Sequence, residues 1–245
     1  HSIHKMTKFV CSIIMTDTVF QQIDVEECQM PHASPEIRMY GTTLEGHPVL
    51  VHVHGFLPYF FVHAPRGFTH SACNDFKNAL NTTFGGSSIA DVKLVSKKNL
   101  MQYTGPENIA FIRITVADLR LFGRVRGSFE RGEIAFRDLF VPGEPLVSFD
   151  HVAYTLRFMI DYDIVGMNWI SIRSGHYTVR EPNACIARCQ IELDCRPDAI
   201  VSHPSQGEWL KMAPLRILSF DIECAGRKGV FPDPVSYTHL TLPTI

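Results

Sequence analysis

No run of about 18 apolar residues occurs in the chain, so a spanning helix is not expected. The first apolar stretch, residues 8–15, is broken by Thr16 and Asp17 and is too short for a signal-peptide core. The seven cysteines are an odd number and include no CxxC pair, which argues against a disulfide framework and against a zinc ribbon. A charge excess is missing as well: 23 Lys and Arg face 25 Asp and Glu, for a formal net charge of −2. Without a global basic field, any contact with nucleic acid must come from local geometry. Internal repeats and low-complexity segments are absent too. What remains, 45% hydrophobic and 20% charged residues over 245 positions, is an ordinary globular composition, enough for one large domain or two small ones.

Short strands and a few helices fill that length. Between residues 37 and 62, Val49, Val51 and Val53 alternate with Leu50, His52 and His54, Gly55 punctuates, and Pro58 precedes Tyr59, Phe60, Phe61 and Val62, the pattern of a hairpin or meander. Ser71 stands before Ala72, Phe76, Ala79 and Leu80, a capped amphipathic helix ending near Gly85 and Gly86. Strands are expected at residues 92–95 and 109–116. Leu119, Phe122, Val125 and Phe129 have helical spacing despite Gly123 and Gly127. A further helix is expected from Val152 to Ile160, with Ser148 or Asp150 as its cap, delivering Asn168, Trp169 and Ile170 to a strand. From Cys185 to Cys195 the alternation predicts one half-buried antiparallel strand, with the three cysteines on its apolar face. The mixture points to an α+β architecture with a substantial β component.

Chemistry concentrates in residues 215–224, LRILSFDIEC. As a strand, this segment sends Leu218, Phe220 and Ile222 to one face and Ser219, Asp221 and Glu223 to the other. Two carboxylates on one face, about 6.6 Å apart along the strand, can converge on paired metal ions that promote phosphodiester hydrolysis. Hard oxygen ligands favour Mg²⁺ or Mn²⁺. Taken alone, a D-x-E pair more often decorates the solvated end of a strand.

Residues 215–232, LRILSFDIECAGRKGVFP, resemble the first exonuclease motif of the eukaryotic B-family DNA polymerases. Other blocks resemble the N-terminal region of that family in the same order: FQQID at 20–24, HVHGFLPYFF at 52–61, IRITV at 112–116, DYDIVGMNW at 161–169, VSHP at 201–204 and APLR at 213–216. The alpha and zeta branches lack the acidic pair in working form, so the resemblance is to a replicative branch that keeps it. It implies residues 17–213 as the polymerase N-terminal domain and 214–235 as the start of an RNase H-like 3′–5′ exonuclease domain. Residues 1–16 stay unassigned, and 236–245 read as a non-native tail of a truncated product. The implied activity is DNA-directed DNA synthesis with proofreading, in which Asp221 and Glu223 are catalytic and hold Mg²⁺ or Mn²⁺. The later exonuclease motifs do not follow in this chain, so the fragment itself is expected to be catalytically incomplete. Zinc and iron–sulfur modules are expected only in the absent C-terminal part. The resemblance further implies primer–template DNA and deoxynucleotides as substrates, accessory subunits and a sliding clamp as partners, a nuclear location and no membrane.

Plainer readings stand beside these. His52 and His54 share a strand face and can chelate a metal or simply be packed and hydrogen-bonded. Tyr59, Phe60 and Phe61 suit either base stacking or a core. Arg227 and Lys228 suit a DNA phosphate or a solvated turn. A non-catalytic nucleic-acid-binding or scaffold module and a stand-alone Mg²⁺-dependent RNase H-like nuclease are the alternative functions.

Overall fold

The computed structural model describes residues 16–31, 33–98 and 108–219. Over these residues the secondary structure is α+β, two sheets with three α-helices and two short 3₁₀ turns. The strands are β1 (Thr18–Cys28), β2 (Glu36–Thr42), β3 (Pro48–His54), β4 (Tyr59–His63), β5 (Ile89–Lys97), β6 (Ile109–Val116), β7 (Ser148–Phe149), β8 (Trp169–Ile172), β9 (Tyr177–Val179), β10 (Ile191–Cys195) and β11 (Ile200–His203). The helices are α1 (Ala72–Phe84), α2 (Leu119–Glu130) and α3 (Tyr154–Asp161). A seven-stranded sheet runs β11-β8-β1-β2-β3-β10-β9, and a four-stranded sheet runs β5-β6-β4-β7. Described pairings are antiparallel except that of β3 with β10, which places Ile191 opposite Val49 and Cys195 opposite Val53.

The larger sheet packs Phe20, Ile37, Met39, Val49, Val51, Val53 and Leu193 into a core with Tyr154 and Phe158 of α3. At Gly41 a Cβ would lie 2.3 Å from Phe20 Cδ2 and 2.4 Å from the Gln21 carbonyl oxygen, so only glycine lets β1 and β2 meet there. The smaller sheet draws all its strands from the chain between β3 and β8. Its core joins Phe60, Val62, Ile112 and Ile114 to the inward faces of α1 (Phe76, Leu80) and α2 (Val125, Phe129).

The strands expected at 92–95 and 109–116 lie within β5 and β6, and the 119–129 helix is α2, regular through both glycines. The capping expectations fare differently. Ser71 makes no cap bond to α1; its hydroxyl meets that of Thr69. The first residue of α3 is Tyr154, and neither Ser148 nor Asp150 caps it. Ser148 sits in β7 and donates to Glu130, while Asp150 ion-pairs with Arg157 at 3.3 Å. The 185–195 strand also needs correction: only Ile191–Cys195 is strand, and residues 185–190 form an irregular connection that folds back over it. Cys195 is buried, while Cys185 and Cys189 are only partly so.

β1 went unrecognised because its pattern is broken. A bulge between Gln22 and Asp24 shifts its register, and Gln21 and Gln22 are both buried. Gln21 donates to the Met167 carbonyl (3.0 Å) and accepts from the Ala213 amide (2.8 Å), while Gln22 accepts from the Met167 amide (3.2 Å). Gln21→Leu keeps the bulk but orphans two backbone groups, each costing about 1–3 kcal/mol if it stays buried and unpaired. A matching fall in the urea midpoint at constant slope is expected; an unchanged midpoint would show that water replaces both partners.

The chain divides into two compact units, residues 1–214 and residues 215–245. Only 215–219 of the second are described. These five residues are not in strand, Ile217 and Leu218 being 86% and 83% exposed, and the rest of the strand expected at 215–223 lies outside the described residues. A strand exists by its ladder, and these five residues have no ladder partner among the described residues.

Candidate functional site

Asp221 and Glu223 lie outside the described residues, as do Arg227 and Lys228. Among the described residues, no group of three or more His, Cys, Asp or Glu side chains is arranged to hold a metal ion. No helix among them is long and apolar enough to cross a membrane.

The other residues singled out from sequence fall into structural roles. Phe60 and Phe61 are buried, the first against Phe122 and Phe129 and the second against Phe111, which is the core reading. Tyr59 is half-buried, its hydroxyl donating to both carboxylate oxygens of Asp161 at 2.6–2.8 Å, with the guanidinium groups of Arg113 and Arg157 over its ring. Burial first, and then the Asp161 contact, push its phenol well above the ordinary range.

His52 and His54 lie on the face of β3 away from the core, their rings parallel at 6.4 Å. Each has found a carboxylate on the neighbouring β10. His52 Nε2 lies 2.9 Å from Glu192, and His54 Nε2 lies 2.6 Å from Asp194. The parallel β3–β10 register sets these pairs, since it places Asp194 opposite His52 and Glu192 opposite Leu50. Glu36 of β2 approaches both histidines from the other side, at 3.4 and 3.7 Å, and is itself held by Arg38 at 2.6 Å. Arg180 forks onto Asp194 with two 2.7 Å bonds and reaches Glu192 at 3.5 Å. Burial alone raises carboxylate pKa values. For Glu36, the Arg38 bond and the His52 charge outweigh it; for Asp194, Arg180 and His54 do, so both carboxyls sit below the ordinary range. The sequence signal for this network was the pair of histidines alone; its carboxylates lie up to 140 residues away.

A cleft of about 410 Å³ lies beside the β2–β3 turn, with Trp169, Trp209, Leu44, Glu45, Glu208 and Lys211 on its walls. Trp209 stacks on His203 at 3.8 Å, and His203 bonds Ser171 at 2.6 Å, which fixes the rear of that wall.

Comparison with known proteins shows what the chain resembles. The family model described as "DNA polymerase family B, exonuclease domain" matches residues 147–239, a range that contains Asp221 and Glu223 and begins well before 214. The family B DNA polymerase of the hyperthermophilic archaeon Pyrobaculum calidifontis has the same fold over 72% of this chain and 20% of its own, with a TM-score of 0.52 and 18% identity. Sequence and fold alike place this chain's resemblance with the B-family polymerases.

The particular relatives are catalytic subunits of DNA polymerase delta. That of Schizosaccharomyces pombe is 47% identical over 219 residues, covering 89% of this chain and 20% of the relative. That of Candida albicans is 41% identical over 217 residues, with coverages of 89% and 20%, and that of Bos taurus 37% identical, with coverages of 90% and 22%. The chain thus spans about a fifth of the length of the curated relatives it matches.

Proposed function

We propose that this chain is part of a replicative DNA polymerase of the delta type that extends primers and removes misincorporated nucleotides with a 3′–5′ exonuclease. The observation that carries the reading is the coincidence of two matches on one segment. Relatives named as polymerase delta catalytic subunits align over nearly nine-tenths of the chain, and a B-family exonuclease-domain model spans Asp221 and Glu223. On this reading residues 17–213 act as the N-terminal domain and 214–235 begin the exonuclease domain.

Asp221 and Glu223 are the residues that would hold the divalent ions of the proofreading site. Carboxylates are the hard-oxygen donors that Mg²⁺ or Mn²⁺ prefers. Such ions, when bound, supply charge stabilisation and an activated water for phosphodiester hydrolysis. The described residues contribute the scaffold: the 163–168 turn and the 213 amide are tied to β1 through Gln21 and Gln22, which fixes where the chain leaves the large sheet. Primer–template DNA and deoxynucleotides as substrates, accessory subunits and a sliding clamp as partners, and a nuclear location belong to the same proposal.

The test is a chimera. Residues 17–235 replace the matching segment of the S. pombe subunit, and extension of a paired primer and excision of a mismatched 3′ terminus are measured on the same preparation. Both activities are expected. Extension without excision would remove the proofreading assignment, and loss of both with the chimera folded would remove the polymerase reading.

A further inference from the structure

We propose that the cleft beside the β2–β3 turn is a docking site for a partner protein, and that its occupant is a short peptide segment whose arginine enters between the indoles and the carboxylates of the walls. The inference stands apart from the polymerase reading, since it uses neither Asp221 nor Glu223. Both tryptophans of the chain, Trp169 and Trp209, line this cleft of about 410 Å³. Their ring centres are 6.3 Å apart, with the planes inclined at 47°. Trp209 is half-buried and has the His203 ring nearly parallel against it at 3.8 Å, so it meets a ligand as a backed plate. A guanidinium stacks on an indole face, and Trp and Arg are enriched where interfaces concentrate their binding energy.

Charge selects among the ligands that an aromatic cleft can take. The carboxylates of Asp17, Glu45 and Glu208 line it against the single ammonium of Lys211, which leaves the walls net negative. Asp17 accepts the Ser174 amide at 2.8 Å, whereas Glu45 and Glu208 are exposed and form no ion pair among the described residues. A nucleic-acid phosphate would meet like charge there. A guanidinium can stack on an indole and fork onto a carboxylate at once, which an ammonium cannot. The lip of the cleft is apolar: Leu44 on the turn is 51% exposed, and Leu210 and Met212, either side of Lys211 in sequence, are each 67% exposed. Apolar surface beside a charged cleft suits the residues that flank an arginine in a peptide and has no role for a free cation.

The walls are set without a ligand. The 43–47 turn is closed by the Thr43 amide on the His47 carbonyl at 2.9 Å and by the His47 amide on Thr43 Oγ1 at 3.2 Å. Across the cleft, Trp169 Nε1 donates to the Lys211 carbonyl at 2.7 Å and ties that segment to β8. Binding to a site held in this way costs little further ordering.

Because both indoles line the cleft, the chain's own tryptophan emission reports its occupancy. The 245-residue chain is titrated with acetyl-Leu-Arg-Leu-amide, with the same peptide carrying citrulline, which keeps the shape of arginine without its charge, and with a single-stranded oligothymidylate. A saturable change in emission is expected with the arginine peptide, weakening as salt is raised, and the citrulline peptide is expected to bind about tenfold more weakly. The double variant Glu45→Gln, Glu208→Gln, altered only at exposed positions, is expected to bind the arginine peptide about tenfold more weakly than the unmodified chain. Equal affinity for the two peptides, or an arginine affinity unchanged in the double variant, overturns the proposal. So does the absence of any saturable change, and tighter binding of the oligothymidylate than of the arginine peptide would make the cleft a nucleic-acid site instead.

Discussion

Replacing Asp221 and Glu223 together by alanine in the chimera is expected to lower excision of a mismatched primer terminus about a thousandfold and to leave extension of a paired primer unchanged. The two carboxylates are the donors on which the proposed proofreading site rests. Losing the several kcal/mol of charge stabilisation such a site provides, taken as about 4 kcal/mol, corresponds to about three powers of ten in rate. Asp221→Asn separates charge from shape: it keeps the side-chain volume, so a comparable loss of excision points to the carboxylate itself. Extension on the same preparation controls for folding. Full excision by the double variant would leave Asp221 and Glu223 as surface carboxylates and send the search for the nuclease elsewhere.

The second large effect concerns stability. Phe76, on the inward face of α1, is fully buried, stacks on Phe140 at 4.6 Å, tilts against Phe136 at 4.9 Å, and meets Phe68 and Phe129 edge-on. Phe76→Ala is expected to cost about 3–5 kcal/mol, the transfer and cavity terms of a buried aromatic, and it removes the central ring of this aromatic cluster. Against a total stability of about 5–15 kcal/mol, that is enough to unfold the α1–α2 side of the small sheet at moderate temperature. Thermal unfolding by near-ultraviolet circular dichroism would show it, with Phe76→Leu falling much less. Equal losses for both variants would mean that ring shape, and not volume, holds this core.

The sequence pattern reports what is local and two-sided. β3 and β6 could be read because alternating or continuous apolar residues enter a core on one face. β1 could not, because Gln21 and Gln22 are buried by virtue of backbone partners at 167 and 213, and a bulge interrupts the period. The 185–195 stretch failed in the opposite sense: its alternation was regular, yet residues 185–190 bend back so that Glu192 can collect their amides. The caps proposed for α3 failed because β7 and an ion pair claim Ser148 and Asp150. Of the candidate site, the acidic pair was legible as a motif, and the histidine pair as a shared face. The partners of His52 were not, because no local pattern announces a parallel pairing across 140 residues.

That pairing has a bearing on how the chain acquires its shape. The small sheet is an insertion: among the described residues its strands and both of its helices lie between residues 59 and 149, and their pairings use no later strand. The large sheet is left with β1, β2 and β3 on one side of the insertion and waits for β8 to β11 on the other. During synthesis from the N-terminus, the insert can therefore settle while the first three strands still lack their outer neighbours, and the loop that must close to bring β10 beside β3 already contains a folded body. Contacts of such long sequence separation form late and slowly. Refolding should then show a fast phase reported by the phenylalanine cluster around Phe76 and a slower one reported by Trp169, which lies on β8 beside β1.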